Sequence, residues 1–264
     1  VIRKEGSHVS AGLRINPEYS EIAHGIYNPC SPGSRLGVTA DDLKNGLPEG
    51  IEGLHFHVLF ESDSHTLEKV LEVVESKFGK LLEQVKWINM GGGHLMTRKD
   101  YDRAHLVSLL KKFREKHDIH IILEPGSAFA WETGELVSTV EDIIVRDGIK
   151  TAILDVSFTA HMPDCLEMPY KPVILGAVEP LKGKPVYRMG GNSCLSGDVM
   201  GDWSFHRELQ TGDRIIFWDM IHYTMVKTTT FNGVPHPSIG IWGRDQKFRL
   251  VKKFGYSDYK DRLS

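Results

Sequence analysis

Three places in this chain gather residues able to do chemistry. The first is Gly91-Gly92-Gly93, which closes the apolar run Val85-Lys86-Trp87-Ile88-Asn89-Met90. With no Cβ at three successive positions, the backbone amides can close on a phosphate, helped by the partial positive charge of a following helix N-terminus. A strand-to-helix turn needing positive φ makes the same demand, so the triplet alone admits both readings. The second is His55-x-His57, which puts two imidazoles on the same side of a strand. At a barrel strand end such a pair can begin a binuclear metal site, and a metal-dependent hydrolase is therefore the rival reading. Metal chemistry gives no reason for a glycine run followed by Glu124-Pro125-Gly126, and no carboxylate completes the ligand shell at evident spacing. No metal is expected. The third is Cys194, in a loop rich in Gly, Asn and Ser, where a thiol is free to move against a substrate.

These residues end strand-like runs, and helical stripes lie between them. Leu67, Val70, Leu71, Val74, Phe78, Leu81 and Leu82 recur at three and four from Ser64 to Leu82, the one-sided pattern of a helix lying on a sheet. Asp100 or a close neighbour caps the next helix, which buries Leu106, Leu109, Leu110 and Phe113 and leaves Lys111, Lys112, Arg114, Glu115 and Lys116 in solvent. Strand, helix, strand, helix, strand predicts parallel pairing, with Arg14, His57, Gly91 to Gly93 and Glu124 on the C-terminal edge. After about Asp147 the periodic helices vanish, and β-rich runs at 152–156, 172–175, 214–218 and 223–231 read as strands of an all-β module. Two domains are expected, residues 1–146 and 147–264.

The chain has 264 residues, 41% of them hydrophobic and 25% charged, enough for one large or two small cores. Its net charge of -3 and the lack of a basic cluster argue against nucleic acid. No apolar run reaches membrane-spanning length, and no secretory leader is read. Cys30, Cys165 and Cys194 are scattered and odd in number, which predicts neither disulfides nor a zinc-cysteine site and suits the cytoplasm.

In fixed order, Gly53-Leu-His-Phe-His57, Ile88-Asn-Met-Gly-Gly-Gly-His94, Leu123-Glu-Pro-Gly126, Gly191-Asn-Ser-Cys-Leu-Ser-Gly-Asp198 and His222-Tyr-Thr224 resemble the fold-type III pyridoxal-phosphate decarboxylases of the ornithine and diaminopimelate decarboxylase group. His161-Met-Pro-Asp-Cys-Leu-Glu-Met-Pro-Tyr170 and the wording around Cys194 resemble its carboxynorspermidine and carboxyspermidine branch. The resemblance implies an α/β plus β protein: the C-terminal half of an (α/β)8 TIM barrel that binds pyridoxal 5'-phosphate, followed by an all-β domain of the alanine racemase and ornithine decarboxylase type. It implies a homodimer with shared active sites and a polyamine-like amino acid substrate. Another amino-acid decarboxylase of the diaminopimelate or ornithine type is the nearer alternative. An amidohydrolase built on His55 and His57, or a non-catalytic homologue, is the more distant one.

The resemblance also carries roles. Glu124 pairs with the cofactor's ring nitrogen and His57 stacks on its ring; Gly91, Gly92, Gly93 and Tyr223 hold its phosphate. Cys194 returns a proton to the substrate's α-carbon. Asp198, with Asp155, Asp164 and Glu167, shapes the amine pocket, since a polyamine brings cationic nitrogens that need carboxylate partners. Arg14 resembles an arginine behind the stacking histidine, and Arg35 lies in a Ser-Arg-Leu-Gly segment that looks like a strand-linking motif. Two departures stand out. Ser127 occupies the place after Glu-Pro-Gly where many relatives carry a phosphate-binding arginine, and Leu195 follows the cysteine where ornithine decarboxylases carry the acid. The lysine to which the family attaches its cofactor belongs on an earlier strand, and Lys4 fits no such motif. The sequence therefore reads as the C-terminal two-thirds of a longer enzyme, inactive as a 264-residue piece.

Overall fold

The computed structural model describes residues 9–23 and 25–263; Lys4 lies outside them. The chain divides into two compact units, Val1–Trp131 and Glu132–Ser264.

In the first unit, strands β1 (Ala11–Arg14), β2 (Ile51–His55), β3 (Trp87–Asn89) and β4 (His120–Ile122) form one sheet in the order β1-β2-β3-β4. All three pairings are parallel. Helix α1 (Ser64–Leu82) connects β2 to β3, and α2 (Arg103–His117) connects β3 to β4. The expected face of α1 is the buried one: Leu67, Val70, Leu71, Val74, Phe78, Leu81 and Leu82 are all 8% exposed or less. They pack with Leu54 and Ile88 from the helix-facing side of the sheet. Each such burial is worth about 1.5–3 kcal/mol before the entropy of ordering is subtracted. Asp63 caps α1 through a hydrogen bond from the Thr66 amide. Asp102, a close neighbour of Asp100 as expected, caps α2 through the His105 amide.

The opposite face of this sheet is unusual. Gly12, Gly53 and Trp87 stand in register across β1, β2 and β3, and a Cβ at either glycine would fall within 2.2 Å of the indole. The tryptophan lies flat over two strands because neither carries a side chain there. One pleat further on, towards the C-terminal edge, Arg14, His55 and Asn89 form the next row.

In the second unit, β5 (Leu136–Arg146) and β6 (Ile149–Leu154) are an antiparallel pair. A short helix, α3 (Ser127–Ala130), lies at the end of the first unit, and two more, α4 (Phe158–His161) and α5 (Pro163–Glu167), follow β6. Strands β7 (Ala177–Val178), β8 (Val186–Gly190), β9 (Val199–Phe205) and β10 (Arg214–Phe217) join β5 and β6 in a six-stranded sheet ordered β10-β5-β6-β8-β9-β7. Val140, Ala152, Leu154, Phe158, Met189 and Phe217 are fully buried at its core. Helix α6 (Tyr223–Val226), the hairpin of β11 (Ile239–Trp242) and β12 (Phe248–Lys252), and α7 (Tyr256–Leu263) end the chain. Among the described residues no helix is long and apolar enough to cross a membrane.

Two expectations need correcting. The units divide after Trp131, not after residue 146. Asp147 and Gly148, both at positive φ, are the two-residue turn that joins β5 to β6, so the point where helical periodicity stops is a hairpin inside the second unit. The run 223–231 is not a strand: Tyr223–Val226 is a helical turn and Phe231–Gly233 a 3-10 turn. Thr224 is drawn out of any strand by its hydroxyl, which donates to the buried Asp164 Oδ2 at 2.9 Å, and such contacts outweigh the β preference of threonine.

Candidate active site

Strand register assembles one cluster at the C-terminal edge of the parallel sheet. Glu124, two residues past β4, receives a hydrogen bond on Oε1 from Asn89 Nδ2 at 2.7 Å. Its Oε2 lies 3.8 Å from His55 Nε2. Asn89 also accepts the Gly91 amide on Oδ1 at 2.8 Å, so one side chain both steadies the carboxylate and starts the glycine turn. His57 Nδ1 accepts the Gly92 amide at 3.1 Å, which assigns the ring's hydrogen to Nε2 and fixes its orientation. Arg14 donates Nη2 to the His57 carbonyl at 3.4 Å.

Electrostatics keep both imidazoles neutral. Burial lowers the pKa of His57 and the Arg14 cation adds to it, against a smaller opposing pull from Glu124. Burial likewise outweighs Glu124 at His55, whose pKa is lowered although the carboxylate is close by. His94, 1% exposed and set against the Met90 and Gly91 backbone with neither nitrogen in good hydrogen-bond geometry, is driven by burial to about 4.

The glycines serve backbone approach first. Gly91 and Gly93 have φ of 68° and 84°, and a Cβ on them would fall 2.5 Å from the Phe56 carbonyl oxygen and 2.2 Å from that of Leu59. A Cβ on Gly92 would sit 2.6 Å from the Glu124 carbonyl oxygen and 3.2 Å from the His57 ring. The amides of Gly91 and Gly92 are donated to Asn89 and His57. This corrects the expectation that both point at a phosphate: the triplet lets β2, β3 and β4 converge closely enough for Glu124 and His57 to share one edge.

His55, His57 and Glu124 also bring ligand atoms within 4.8 Å of one another. The sequence left the histidine pair without a carboxylate, and the fold supplies Glu124. Asn89 and His94 were the residues missed there; the only signal was their position flanking the glycines.

The second unit holds the remaining residues. The exposed free thiol of Cys194 is carried by a loop that is tied down rather than loose. Asp198, 2% exposed, accepts the amides of Phe158 at 2.7 Å and Thr159 at 3.2 Å on Oδ1, and that of Ser193 at 3.1 Å on Oδ2. A Cβ on Gly191 would lie 2.4 Å from that carboxylate, and the Cys194 amide donates to Asn232 Oδ1 at 2.9 Å. Asp198 therefore builds the loop and is not open to a substrate amine, a correction to its expected role. Asp164 is corrected likewise: it is 6% exposed, and its Oδ2 accepts Tyr170 and Thr224 hydroxyls at 2.7 and 2.9 Å. Asp155 is exposed, with Oδ1 held by the Ser138 hydroxyl at 2.6 Å and the Thr139 amide at 2.8 Å. Glu167 is ion-paired with Lys227. Tyr223 opens α6 with half its surface exposed. Cys165 is buried, and Cys30 donates its thiol to the Tyr19 carbonyl, as packing residues do. Arg35 is exposed.

A parallel α/β sheet that ends in a neutral histidine, a steadied carboxylate and a glycine turn, followed by a mainly antiparallel sheet unit, defines a two-part α/β plus β architecture. The sequence profile of the C-terminal sheet domain of pyridoxal-dependent decarboxylases matches residues 26–221. A carboxyaminopropylagmatine decarboxylase of Synechocystis is 56% identical, over 97% of this chain and 66% of that protein. A carboxynorspermidine/carboxyspermidine decarboxylase of Campylobacter jejuni is 45% identical, over 96% and 69%. The crystal structure of carboxynorspermidine decarboxylase complexed with norspermidine from Campylobacter jejuni superposes with a TM-score of 0.87 at 44% identity, covering 96% of this chain and 69% of that one. This chain belongs to the pyridoxal-dependent decarboxylase family, and it spans about two thirds of the length of these relatives.

The family's cofactor is pyridoxal phosphate, and the residues present fit it. A carboxylate held by a neutral amide, with its second oxygen facing only a neutral imidazole at 3.8 Å, can accept from a protonated ring nitrogen. Beside it the His57 ring is half-buried, locked in orientation, and bordered by a glycine that leaves room where a Cβ would stand.

Proposed function

We propose that the protein is a pyridoxal 5'-phosphate-dependent carboxy-lyase that removes the α-carboxylate of carboxynorspermidine or carboxyspermidine in polyamine biosynthesis. The observation that carries this reading is the Asn89-steadied Glu124 beside His57, within a chain 45% identical to a carboxynorspermidine/carboxyspermidine decarboxylase. The 56% identical Synechocystis relative favours a second reading, carboxyaminopropylagmatine as substrate. The two readings share an α-amino acid on a long chain ending in cationic nitrogen.

When bound, the cofactor supplies the electron sink that accommodates the charge left on the α-carbon as CO2 departs. Glu124 holds the proton on the ring nitrogen. His57, kept neutral by burial and by Arg14, stacks on the ring without adding a competing charge. Cys194 Sγ would give a proton to the α-carbon from its tied loop, and the Tyr223 hydroxyl would bind the cofactor phosphate. The exposed Asp155 and Glu167 are the carboxylates left to meet substrate amines. We read the parallel sheet as the C-terminal half of a closed (α/β)8 barrel, and the protein as a cytoplasmic homodimer with shared active sites. The three free thiols fit that compartment.

The test uses protein expressed from the complete gene. Loaded with pyridoxal phosphate, it should absorb in the visible and release CO2 from one or more of the three carboxylated polyamines; their kcat/KM values rank the two readings. No cofactor absorbance and no CO2 from any of them would overturn the enzyme and favour a non-catalytic homologue. Unchanged decarboxylation in Cys194→Ala would remove the thiol from its role.

A further inference from the structure

A second set of potential metal ligands stands apart from the cofactor residues, on the first turns of α1 and α2. His65 and Glu68, three apart on α1, share a helix face, and His105 reaches them from the first turn of α2. Their ligand atoms lie within 4.8 Å of one another. Nitrogens and carboxylate oxygens about 2.0–2.2 Å from a zinc ion stand roughly 3.3–3.6 Å apart in a tetrahedron. Modest rotation of the exposed His65 closes the set.

Proximity alone would leave this a surface ion pair, but the hydrogens around His105 argue further. Ser64 is fully buried, and its hydroxyl donates to the Asp102 carbonyl at 3.2 Å. Its oxygen is then left to accept, so the 3.0 Å contact with His105 Nδ1 places a hydrogen on Nδ1. In the neutral ring Nε2 is consequently a bare lone pair, and it faces Glu68 Oε2 at 3.3 Å. Two acceptors at that separation require a cation between them: a second proton on the ring or a metal ion. His65 stacks on His105 with ring centroids 4.2 Å apart and an interplanar angle of 21°, so both imidazoles stand beside the Glu68 carboxylate. Asp63, in electrostatic contact with His65, adds a second negative charge. An imidazole whose far nitrogen is held by a buried acceptor is the arrangement that orients metal-binding histidines.

We infer that His65, Glu68 and His105 form a site for one divalent transition ion of the zinc class, oriented by Ser64. Two imidazoles and one carboxylate select zinc, nickel or copper over calcium or magnesium. The ion clips the N-terminal turn of α1 to that of α2, the two helices that cover one face of the parallel sheet.

The test is calorimetric titration of zinc chloride into the full-length, cofactor-loaded protein after removal of metal with a chelator. One equivalent should bind, with affinity lowered at least about tenfold in His105→Gln and in Ser64→Ala and unchanged in His55→Gln. Substitution of cobalt(II) should give a visible d–d spectrum that disappears with His65→Gln. If Ser64→Ala or His105→Gln disturbs the far-ultraviolet circular dichroism, Glu68→Gln on the exposed side of the site carries the same reading. Absence of binding, which would mean that a proton fills the gap, overturns the site. Binding that survives His65→Gln and His105→Gln together, or that is lost in His55→Gln, overturns it too.

Discussion

Asn89 joins two parts of the C-terminal edge of the parallel sheet, receiving the Gly91 amide on one side-chain atom and steadying Glu124, 35 residues on, with the other. A hydrogen bond to a charged group is worth about 1.5–3 kcal/mol, so Asn89→Ala in the full-length enzyme should lower kcat/KM by about tenfold to hundredfold. Asn89→Asp separates positioning from mere packing. It keeps an acceptor for Gly91 but takes the amide donor away from Glu124 and sets a second carboxylate against it, so cofactor affinity and kcat/KM should both fall while the urea midpoint holds. Unchanged cofactor affinity in Asn89→Asp would show that Asn89 does not act through Glu124. Gly92 is the other single-residue test. Its missing Cβ makes room for the Glu124 carbonyl and the His57 ring, and Gly92→Ala should cost about 1–3 kcal/mol in urea denaturation along with cofactor affinity.

At the scale of elements, the loop from Gly191 to Asp198 is ordered by its own last residue. Asp198 takes three backbone amides, from Phe158, Thr159 and Ser193, and thereby couples the start of α4 to the segment that carries Cys194. Asp198→Ala leaves those donors unsatisfied at about 1–3 kcal/mol each, so a loss of about 3 kcal/mol or more is expected from equilibrium unfolding. A substrate-binding aspartate would behave differently: stability would hold and KM alone would rise. The helices α1 and α2 show the converse, elements whose own sequence is enough. Each begins at an aspartate whose side chain accepts the amide three residues on; α1 buries the whole face that its apolar spacing marks, while α2 buries Leu106 and Phe113 of its face and leaves Leu109 and Leu110 partly covered.

On the scale of the whole molecule, the buried histidines set a common pH limit. His94 in the first unit and His161 in the second are both lowered by burial to about 4, whereas in the unfolded chain histidine titrates near about 6.5. Between these values the unfolded chain binds protons that the folded protein refuses. Stability is therefore fully present above about pH 6.5 and falls as the pH drops towards 4, by about 1.4 kcal/mol per pH unit for each histidine. The urea midpoint should fall between pH 7 and pH 5, and His94→Gln with His161→Gln should flatten that slope. An equally steep fall in the double variant would assign the loss to other groups.

The chain alone determined the two long helices, the parallel pairing of the first unit's strands and the edge on which chemistry gathers, because these follow from apolar spacing, caps and short-range turn residues. Three-dimensional packing decided what spacing does not encode. Glu124 meets Asn89, 35 residues away, only because β3 and β4 pair in one register. Asp198 looked like a free carboxylate until Phe158, 40 residues earlier, folded against it. Thr224 left a β-prone run for a helical turn because a buried Asp164 waited 60 residues upstream. Periodicity records which side of an element faces the core, whereas a hydrogen bond between distant residues exists only after the strands have chosen their neighbours.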